Sequence, residues 1–311
     1  MEPFIYNGTT FLPVRAISEA LGKEVEWDGP TSSVYIGEYT GKPPENTGFE
    51  EITVGTAEEF IAAIGSNRRI LLKEGYYNLS DVSYINDPSV YFRDCFDGYE
   101  LVLDGIRNLS IESEGDGWCE LIAEPRYAFV MNFLNCSNIS LSGIKAGHTD
   151  TGYCAGGVFS FENSSGIQID DTLMYGCGTV GLQLLRVSNM YVTNSTVYGC
   201  TYGIMYIGQS ADILFRDCVF RDNTTFSMVE MRNTTGVTFD SCSFLRNTAE
   251  YYPGSVFSIL HSGYLTVRNT VFSDNVAHGF FDWGDWGYIE FEDSNTFENN
   301  SFAFENNPFD Y

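Results

Sequence analysis

The sequence has few basic residues. It contains 16 Lys and Arg against 42 Asp and Glu, which gives a formal net charge of −26. Beyond residue 100 the only lysine is Lys145, and no basic stripe occurs. Nucleic acid and anionic membrane surfaces are therefore poor partners, because both attract positively charged protein surfaces.

Other features are also scarce. No run approaches the roughly eighteen apolar residues of a membrane-spanning helix, and the N-terminus lacks a basic and hydrophobic leader. From residue 100 onward the apolar residues show no helical spacing. His261 and His278 fall at different points of the repeat described below, so a three-histidine metal site is not expected. The sequence predicts no membrane insertion and a chain built mainly of strands.

What the sequence does contain is a repeat. An apolar-x-apolar couplet returns eight times, with first members 30, 28, 23, 23, 24, 28 and 24 residues apart. Each couplet lies in alternating apolar and polar residues bounded by Asn, Ser, Gly or Asp, which indicates short strands. Coils of this length without helices are typical of a parallel β-helix. The couplets are Leu109/Ile111, Ile139/Leu141, Ile167/Ile169, Met190/Val192, Ile213/Phe215, Val237/Phe239, Leu265/Val267 and Ile289/Phe291.

A second column supports the same alignment. A few residues after each couplet comes an apolar residue, followed by Asn or Cys three positions later. We expect these residues to form an internal ladder of side-chain hydrogen bonds at a tight bend. The pairs are Met174/Cys177, Val197/Cys200, Phe220/Asn223, Phe244/Asn247, Phe272/Asn275 and Phe297/Asn300.

The eight cysteines fit the repeat as well. Cys177 and Cys200 share one column, Cys218 and Cys242 share another, and no C-x-x-C pair occurs. Vertical neighbours on parallel strands rarely offer good disulfide geometry, so stacked, free and buried thiols are predicted, with disulfides as the alternative.

Residues 1–37 predict a small α/β module, with a strand at 5–8, a helix at 13–21 and strands near 25–27 and 34–36. Residues 6–8, 11–17, 19–22 and 25–28 closely resemble the copper amine oxidase-like N-terminal domain. That resemblance implies a non-catalytic appendage of secreted or cell-surface bacterial proteins, and hence an extracellular or cell-surface location. Residues 38–49 form a linker, and the partial module suggests that a portion precedes it.

The β-helix is expected over residues 50–311. Thr56 and Glu59 predict a capping box that opens a helix, with Phe60, Ile61 and Ile64 on its apolar face. Such a helix would cover the first coil. The stretch 69–79 resembles the opening coil of the pectate lyase-like superfamily, which implies a right-handed single-stranded parallel β-helix. The predicted fold is therefore all-β, with an N-terminal capping helix, preceded by the α/β module.

Counting back from the couplets assigns residue orientation on another strand of each coil. Inward pairs such as Phe159/Phe161 alternate with one outward residue per coil. Glu230 and Asp282 lie two coils apart, roughly 9 to 10 Å at about 4.8 Å per coil, near the upper limit for an inverting glycosidase. The outward column is Ser160, Gln183, Tyr206, Glu230, Ser258 and Asp282.

Three coils carry insertions, at residues 80–99, 147–154 and 248–254. The last two occur at the same point of the coil, so they should border a cradle on one edge of the solenoid. Exposed aromatic and amide side chains there would bind a glycan. The predicted ligand-binding residues are Tyr153, Gln183, Tyr206, Tyr251, Tyr252 and Trp286.

Known catalytic motifs are incomplete. Polygalacturonase-like hydrolases carry Gly-His-Gly and Arg-x-Lys motifs, whereas His148 lies in Gly-His-Thr and no Arg-x-Lys occurs. Pectate lyases use acidic calcium ligands beside an Arg or Lys base, a role open to Arg232 near Glu230. His148 and Asp150 could form an acid–base pair, although a structural histidine is the simpler interpretation.

Two hypotheses follow. The first is a secreted or cell-surface β-helix that binds carbohydrate or another surface ligand, and it is favoured because no complete catalytic set is present. The second is a polysaccharide-degrading enzyme, either a calcium-assisted lyase or an inverting hydrolase, with Glu230, Asp282, Arg232 and His148 as candidate catalytic residues. No cofactor or metal site is predicted, apart from the calcium that the lyase would need. The oligomeric state stays open.

Overall fold

The structure is a computed structural model. It describes residues 4–6, 9–11, 25–28, 33–36, 49–82, 85, 87–115, 117–149, 156–176, 180–249, 254–282 and 288–302. The chain divides into two compact units, Met1–Phe49 and Glu50–Tyr311.

The first unit contains two antiparallel strand pairs. Phe4–Tyr6 pairs with Thr9–Phe11, and Val25–Asp28 pairs with Ser33–Ile36. The strands expected near residues 5–8, 25–27 and 34–36 are thus present with shifted ends, and the chain adds a strand at Thr9–Phe11. The helix predicted at residues 13–21 lies outside the described residues.

The second unit is a parallel β-helix with three long sheets. Sheet A comprises Glu50–Val54, Arg68–Leu72, Arg107–Ser113, Ser137–Ser142, Ser165–Asp170, Ser188–Thr193, Ala211–Arg216, Thr235–Asp240, Gly263–Arg268 and Ile289–Phe291. Sheet B comprises Gly75–Asn78, Cys119–Ala123, Ile144–His148, Leu173–Tyr175, Thr196–Tyr198, Val219–Arg221, Ser243–Leu245, Val271–Ser273 and Thr296–Glu298. Sheet C comprises Val90–Cys95, Gly98–Asp104, Phe129–Leu134, Gly157–Glu162, Val180–Leu185, Gly203–Gly208, Val229–Arg232, Ser255–Leu260 and Gly279–Asp282.

Smaller elements complete the unit. The first predicted insertion forms part of sheet C, because its strand Val90–Cys95 pairs antiparallel with Gly98–Asp104. A short 3-10 helix spans Leu79–Asp81. Three short strands, Thr248–Ala249, Val276–Ala277 and Ser301–Phe302, form a minor parallel sheet.

The couplets lie in sheet A and are in register. Leu109 pairs with Ile139, and the same column continues without a break to Ile289. The β-helix predicted from their spacing is confirmed. Equivalent residues of successive coils therefore lie directly above one another, so the position of a residue within its coil indicates where it lies in the β-helix.

Stacked aromatic side chains fill the C-terminal half of the core. The rings of Phe244 and Phe272 lie with centroids 5.0 Å apart and planes within 10°, and Phe272 stacks in the same way on Phe297 at 5.0 Å. Phe215 and Phe239 form a parallel stack at 4.9 Å. Aromatic stacking of this kind follows from the register, because identical residues recur on successive strands.

The predicted asparagine ladder is present. Asn223, Asn247, Asn275 and Asn300 are linked in sequence by side-chain bonds of 2.9 Å. The backbone N–H of Cys200 donates to Asn223 Oδ1 at 2.9 Å and so extends the series by one coil. These bonds satisfy polar groups that would otherwise be buried without partners.

The cysteines are mostly as predicted. Cys119, Cys136, Cys218 and Cys242 are buried free thiols, and Cys95 is a partly exposed one. A hydrogen bond with the Cys218 thiol, together with burial, raises the pKa of Cys242. The prediction of a free thiol is wrong for Cys200, which is disulfide-bonded. Cys154 and Cys177 lie outside the described residues.

A single α-helix is described, and it covers the first coil. It spans Ala57–Ala63 (α1), and its N-cap Thr56 accepts a hydrogen bond from the Glu59 N–H at 3.2 Å. The Glu59 carboxylate bonds to the Gly55 N–H rather than to that of the N-cap. Phe60, Ile61 and Ile64 are buried, as predicted. No helix in the described part of the chain is long and apolar enough to cross a membrane.

Candidate functional site

The outward column of sheet C is in the predicted register. Cα pairing runs from Asn132 through Ser160, Gln183, Tyr206, Glu230 and Ser258 to Asp282. Asn132 and Ser160 are only 4% and 2% exposed, whereas the residues from Gln183 onward are partly accessible. The column therefore opens to solvent at Gln183.

A groove lies at that opening. It has a volume of about 360 Å³ and crosses three successive strands of sheet C. We call it the sheet C groove. Its lining residues are Val180, Gln183, Tyr202, Gly203, Met205, Tyr206, Phe226, Ser227, Glu230 and Arg232.

One side of the groove is aromatic. Tyr202 and Phe226 precede successive strands of sheet C, and their ring centroids lie 4.8 Å apart with planes inclined by 48°. Both are well exposed, at 47% and 43%. Such neighbouring exposed rings form an apolar surface with hydrogen-bonding groups beside it, a combination that suits a flat, polyhydroxylated ligand.

The other side carries an ion pair. Arg232 Nη2 lies 2.6 Å from Glu230 Oε1, and the two residues are two positions apart on one strand, so both point outward. The Glu230 side chain is 24% exposed and that of Arg232 is 52% exposed. The pair presents acceptor and donor groups to a ligand while adding almost no net charge.

Tyr206 lies between the two sides, and a glycine determines its position. A Cβ on Gly208 would meet the Tyr206 ring at 2.8 Å and its hydroxyl oxygen at 2.9 Å. The tyrosine ring therefore folds along its own strand over Gly208. Gly208 is also the register partner of Arg232, so the ring lies over the position that is paired with Arg232.

The two candidate carboxylates are not in the same cavity. Asp282 follows Glu230 in the column after one intervening residue, Ser258, whose hydroxyl donates to Asp282 Oδ2 at 3.1 Å. Asp282 does not line the groove. The register prediction for the pair is confirmed, and a joint catalytic role stays a prediction.

His148 lies elsewhere. It ends a strand of sheet B, is 3% exposed, and its Nε2 bonds to the carbonyl oxygen of Gly157 at 2.9 Å. Burial lowers the pKa of His148. Gly157 begins a strand of sheet C three coils before that of Glu230, which separates the two by roughly 14 Å along the solenoid axis at about 4.8 Å per coil. Burial and the bond to the Gly157 carbonyl favour a structural role, and an acid–base role stays a prediction.

The remaining predicted residues fall in parts of the chain that the structure does not describe. Tyr153, Tyr251, Tyr252 and Trp286, along with Asp150, lie outside the described residues, and so does most of the predicted cradle. In the described part of the chain, no group of three His, Cys, Asp or Glu residues is arranged to hold a metal ion. The calcium needed by a lyase stays a prediction.

Tyr202 and Phe226 were missed by the sequence analysis. They lie in the bend between the ladder and sheet C, where strand alternation does not assign orientation. The signal was the return of an aromatic residue at nearly the same point of two successive coils, two residues after Cys200 and three after Asn223.

Two family models match the chain. One, described as the right-handed beta helix region, matches residues 132–302, which is more than half of the sequence. The other, described as the copper amine oxidase N-terminal domain, matches residues 1–45. Both resemblances found in the sequence are confirmed. No curated protein matches the chain.

Several solved structures share the fold. An alginate lyase from a Paenibacillus species has a TM-score of 0.53 and 11% identity, over 82% of this chain and 99% of the lyase. A pectate lyase has a TM-score of 0.50 and 14% identity, over 81% of this chain and 78% of the lyase. The catalytic unit of an α-1,3-glucanase from Streptomyces thermodiastaticus has a TM-score of 0.55 and 13% identity, over 85% of this chain and 49% of the glucanase chain. Identities this low establish a common fold and nothing about activity.

Proposed function

Because this chain belongs to the right-handed β-helix family, we propose that it binds a polysaccharide in the sheet C groove. The observation that carries the proposal is the exposed Tyr202–Phe226 pair, which borders a groove lined by Gln183, Tyr206 and Glu230. Aromatic faces bind the C–H faces of sugar rings, and the polar groups can bind their hydroxyls.

The neighbours of known structure support a carbohydrate ligand. An alginate lyase, a pectate lyase and an α-1,3-glucanase are all named for their action on polysaccharides. The N-terminal family match supports a secreted or cell-surface location, as its resemblance implied. We propose that the protein acts outside the cell as a glycan-binding β-helix.

A paired substitution tests this function. Tyr202→Ala with Phe226→Ala removes both rings and should weaken polysaccharide binding about tenfold or more, as truncation of aromatic anchors does at binding sites. The matched control is Tyr264→Ala with Tyr288→Ala, a second exposed pair at 5.7 Å on the sheet A side. Affinity electrophoresis and calorimetry would measure binding. Equal loss in both double variants, or no binding by the unaltered protein across a broad glycan panel, would refute the proposal.

A second candidate function is hydrolysis by Glu230 and Asp282. It is favoured by their two-coil separation along one outward column, about 9.6 Å at 4.8 Å per coil, near the upper limit for inverting glycosidases. It is disfavoured by the ion pair on Glu230 and by the position of Asp282 outside the groove.

The release of new reducing ends would test hydrolysis, and the absorbance of unsaturated products would test a calcium-assisted lyase using Arg232. Glu230→Gln and Asp282→Asn should each abolish hydrolysis, whereas Glu290→Gln on sheet A should not. If the unaltered protein releases no product from any polymer that it binds, catalysis is excluded and binding remains.

A further inference from the structure

We infer that the sheet C groove is selective for uncharged polysaccharides and that Glu230 is the residue that excludes acidic ones. The inference rests on the proposed function and names the ligand class for the same site. It assigns Glu230 a role in specificity. The Glu230 carboxylate forms an ion pair with Arg232, the groove residue whose guanidinium a uronate would need.

The first support is the pairing of the cations on this sheet. The strands of sheet C and the residues directly after them carry three arginines in the described part of the chain, and no lysine. Arg232 is bound to Glu230, Arg186 to Glu162, and Arg93 to Glu100. A polyuronate carries a carboxylate on every sugar, and on sheet C each carboxylate would meet an arginine that is already paired with a glutamate.

The second support is the overall charge. With a net charge of −26, the long-range field of the protein opposes the approach of a polyanion. An uncharged polymer is indifferent to that field. For a uronate, the repulsion between its carboxylate and Glu230 adds to this long-range effect, because like charges a few ångströms apart repel.

The third support is what the groove offers instead. Tyr202 and Phe226 present apolar faces, and Gln183 and Tyr206 present neutral donors and acceptors. Gln183 Nε2 donates to Ser160 Oγ at 3.3 Å, and the Gln183 side chain lines the groove. These groups match the hydroxyls and C–H faces of neutral sugars and give no preference for a carboxylate.

Glycan binding by three proteins tests the inference. Unaltered protein, Glu230→Gln and Glu162→Gln would be compared on laminarin, dextran, galactomannan and arabinoxylan, and on polygalacturonate and alginate, each with chelator and with excess calcium. Glu162→Gln is the matched control, because it makes the same charge change and frees Arg186, which does not line the groove.

The unaltered protein should bind at least one neutral polymer, with an affinity unchanged by added sodium chloride, and bind the uronates more weakly. Glu230→Gln should gain uronate affinity by roughly two- to fivefold, the range that an exposed ion pair carries, and that gain should vanish at high salt. Glu162→Gln should gain none.

Three outcomes overturn the inference in different ways. Tighter binding of polygalacturonate or alginate by the unaltered protein, with or without calcium, refutes the neutral ligand class and leaves the proposed function intact. No binding to any polymer refutes the proposed function itself. Equal gains in Glu230→Gln and Glu162→Gln would show that overall charge alone, and not Glu230, excludes acidic chains.

Discussion

Asn247 donates from Nδ2 to Oδ1 of Asn275 at 2.9 Å, deep inside the bend that links sheets B and C. Asn247 is fully buried, and its Nδ2 also donates to the Phe220 carbonyl at 2.9 Å. Its own Oδ1 accepts from Nδ2 of Asn223. One amide thus ties three coils together.

Replacing that amide should destabilise the β-helix. Asn247→Ala removes the hydrogen bonds that this amide makes with the buried N–H groups of Asn223, with Asn275 Oδ1 and with the Phe220 carbonyl. We therefore expect a loss of roughly 2–4 kcal/mol in the free energy of unfolding. Urea unfolding followed by circular dichroism would measure it. Gln168→Ala, which removes an exposed amide on sheet A, should change the midpoint little. If the two variants unfold alike, the ladder does not contribute to stability.

The Tyr175 ring lies over Gly147 on the outer face of sheet B. A Cβ on Gly147 would lie 2.4 Å from the Tyr175 carbonyl oxygen and 2.6 Å from its ring. The ring stacks on Tyr198 at 5.7 Å, and Lys145 Nζ lies 4.7 Å from its centroid. Gly147→Ala should therefore cost about 1–3 kcal/mol of stability, because backbone cannot yield as a flexible side chain can.

Thermal unfolding would measure that loss. The control is Gly263→Ala, whose added Cβ would only contact Thr235 Oγ1 at 3.8 Å. A Gly147→Ala protein as stable as the control would mean that Tyr175 moves aside freely and that its stack on Tyr198 is loose.

His148 should make the protein less stable in mild acid. Burial lowers the pKa of His148 below its ordinary value of 6.5, and this effect outweighs the hydrogen bond with the Gly157 backbone, which acts in the opposite direction. The unfolded chain then binds a proton at His148 at a higher pH than the folded one. Stability is therefore fully present above pH 6.5 and falls as the pH drops through that value.

The difference between the unaltered protein and His148→Gln isolates this effect. Melting temperatures measured from pH 7.5 to 5.5 should fall more steeply for the unaltered protein, because the glutamine does not titrate while its amide can still donate to the Gly157 carbonyl. Parallel curves for the two proteins would show that His148 is not responsible.

Gly208→Ala should alter ligand binding without altering the fold. The added methyl displaces the Tyr206 ring from its place along the strand, but Gly208 itself does not line the groove. We expect a melting temperature close to that of the unaltered protein and weaker binding of the polymer identified above, by about tenfold. Unchanged affinity would mean that the position of Tyr206 is irrelevant, and Tyr206→Phe would then test its hydroxyl alone.

The fold could be predicted from the sequence because each sequence repeat corresponds to one coil of the structure. The couplet from Leu109 to Ile289 recurs once per coil, and stacking forces each recurrence into register. The same counting correctly placed Gln183, Tyr206, Glu230 and Arg232 on the outer face of sheet C, where they line one groove. Period-two alternation is reliable on a strand because it is a property of the backbone.

The bends were not predictable in the same way. Backbone direction in the bends between sheets B and C depends on left-handed residues such as Gly199, Asp222 and Arg246, which share no residue type. Tyr202 and Phe226 lie in such a bend and so were missed. The disulfide of Cys200 was missed because strand spacing was applied where the chain turns.

In this architecture each coil is stabilised only by the coil before it and the coil after it, because it contacts no others. The groove draws on three strands in the middle of sheet C, with further coils on both sides. Fraying that begins at the C-terminal end must cross two coils of sheet C before it reaches Arg232, and fraying from the N-terminal end must cross more before it reaches Gln183. A glycan bound there would therefore report on the central coils alone, and the protein could lose its last coil while its binding curve stays unchanged.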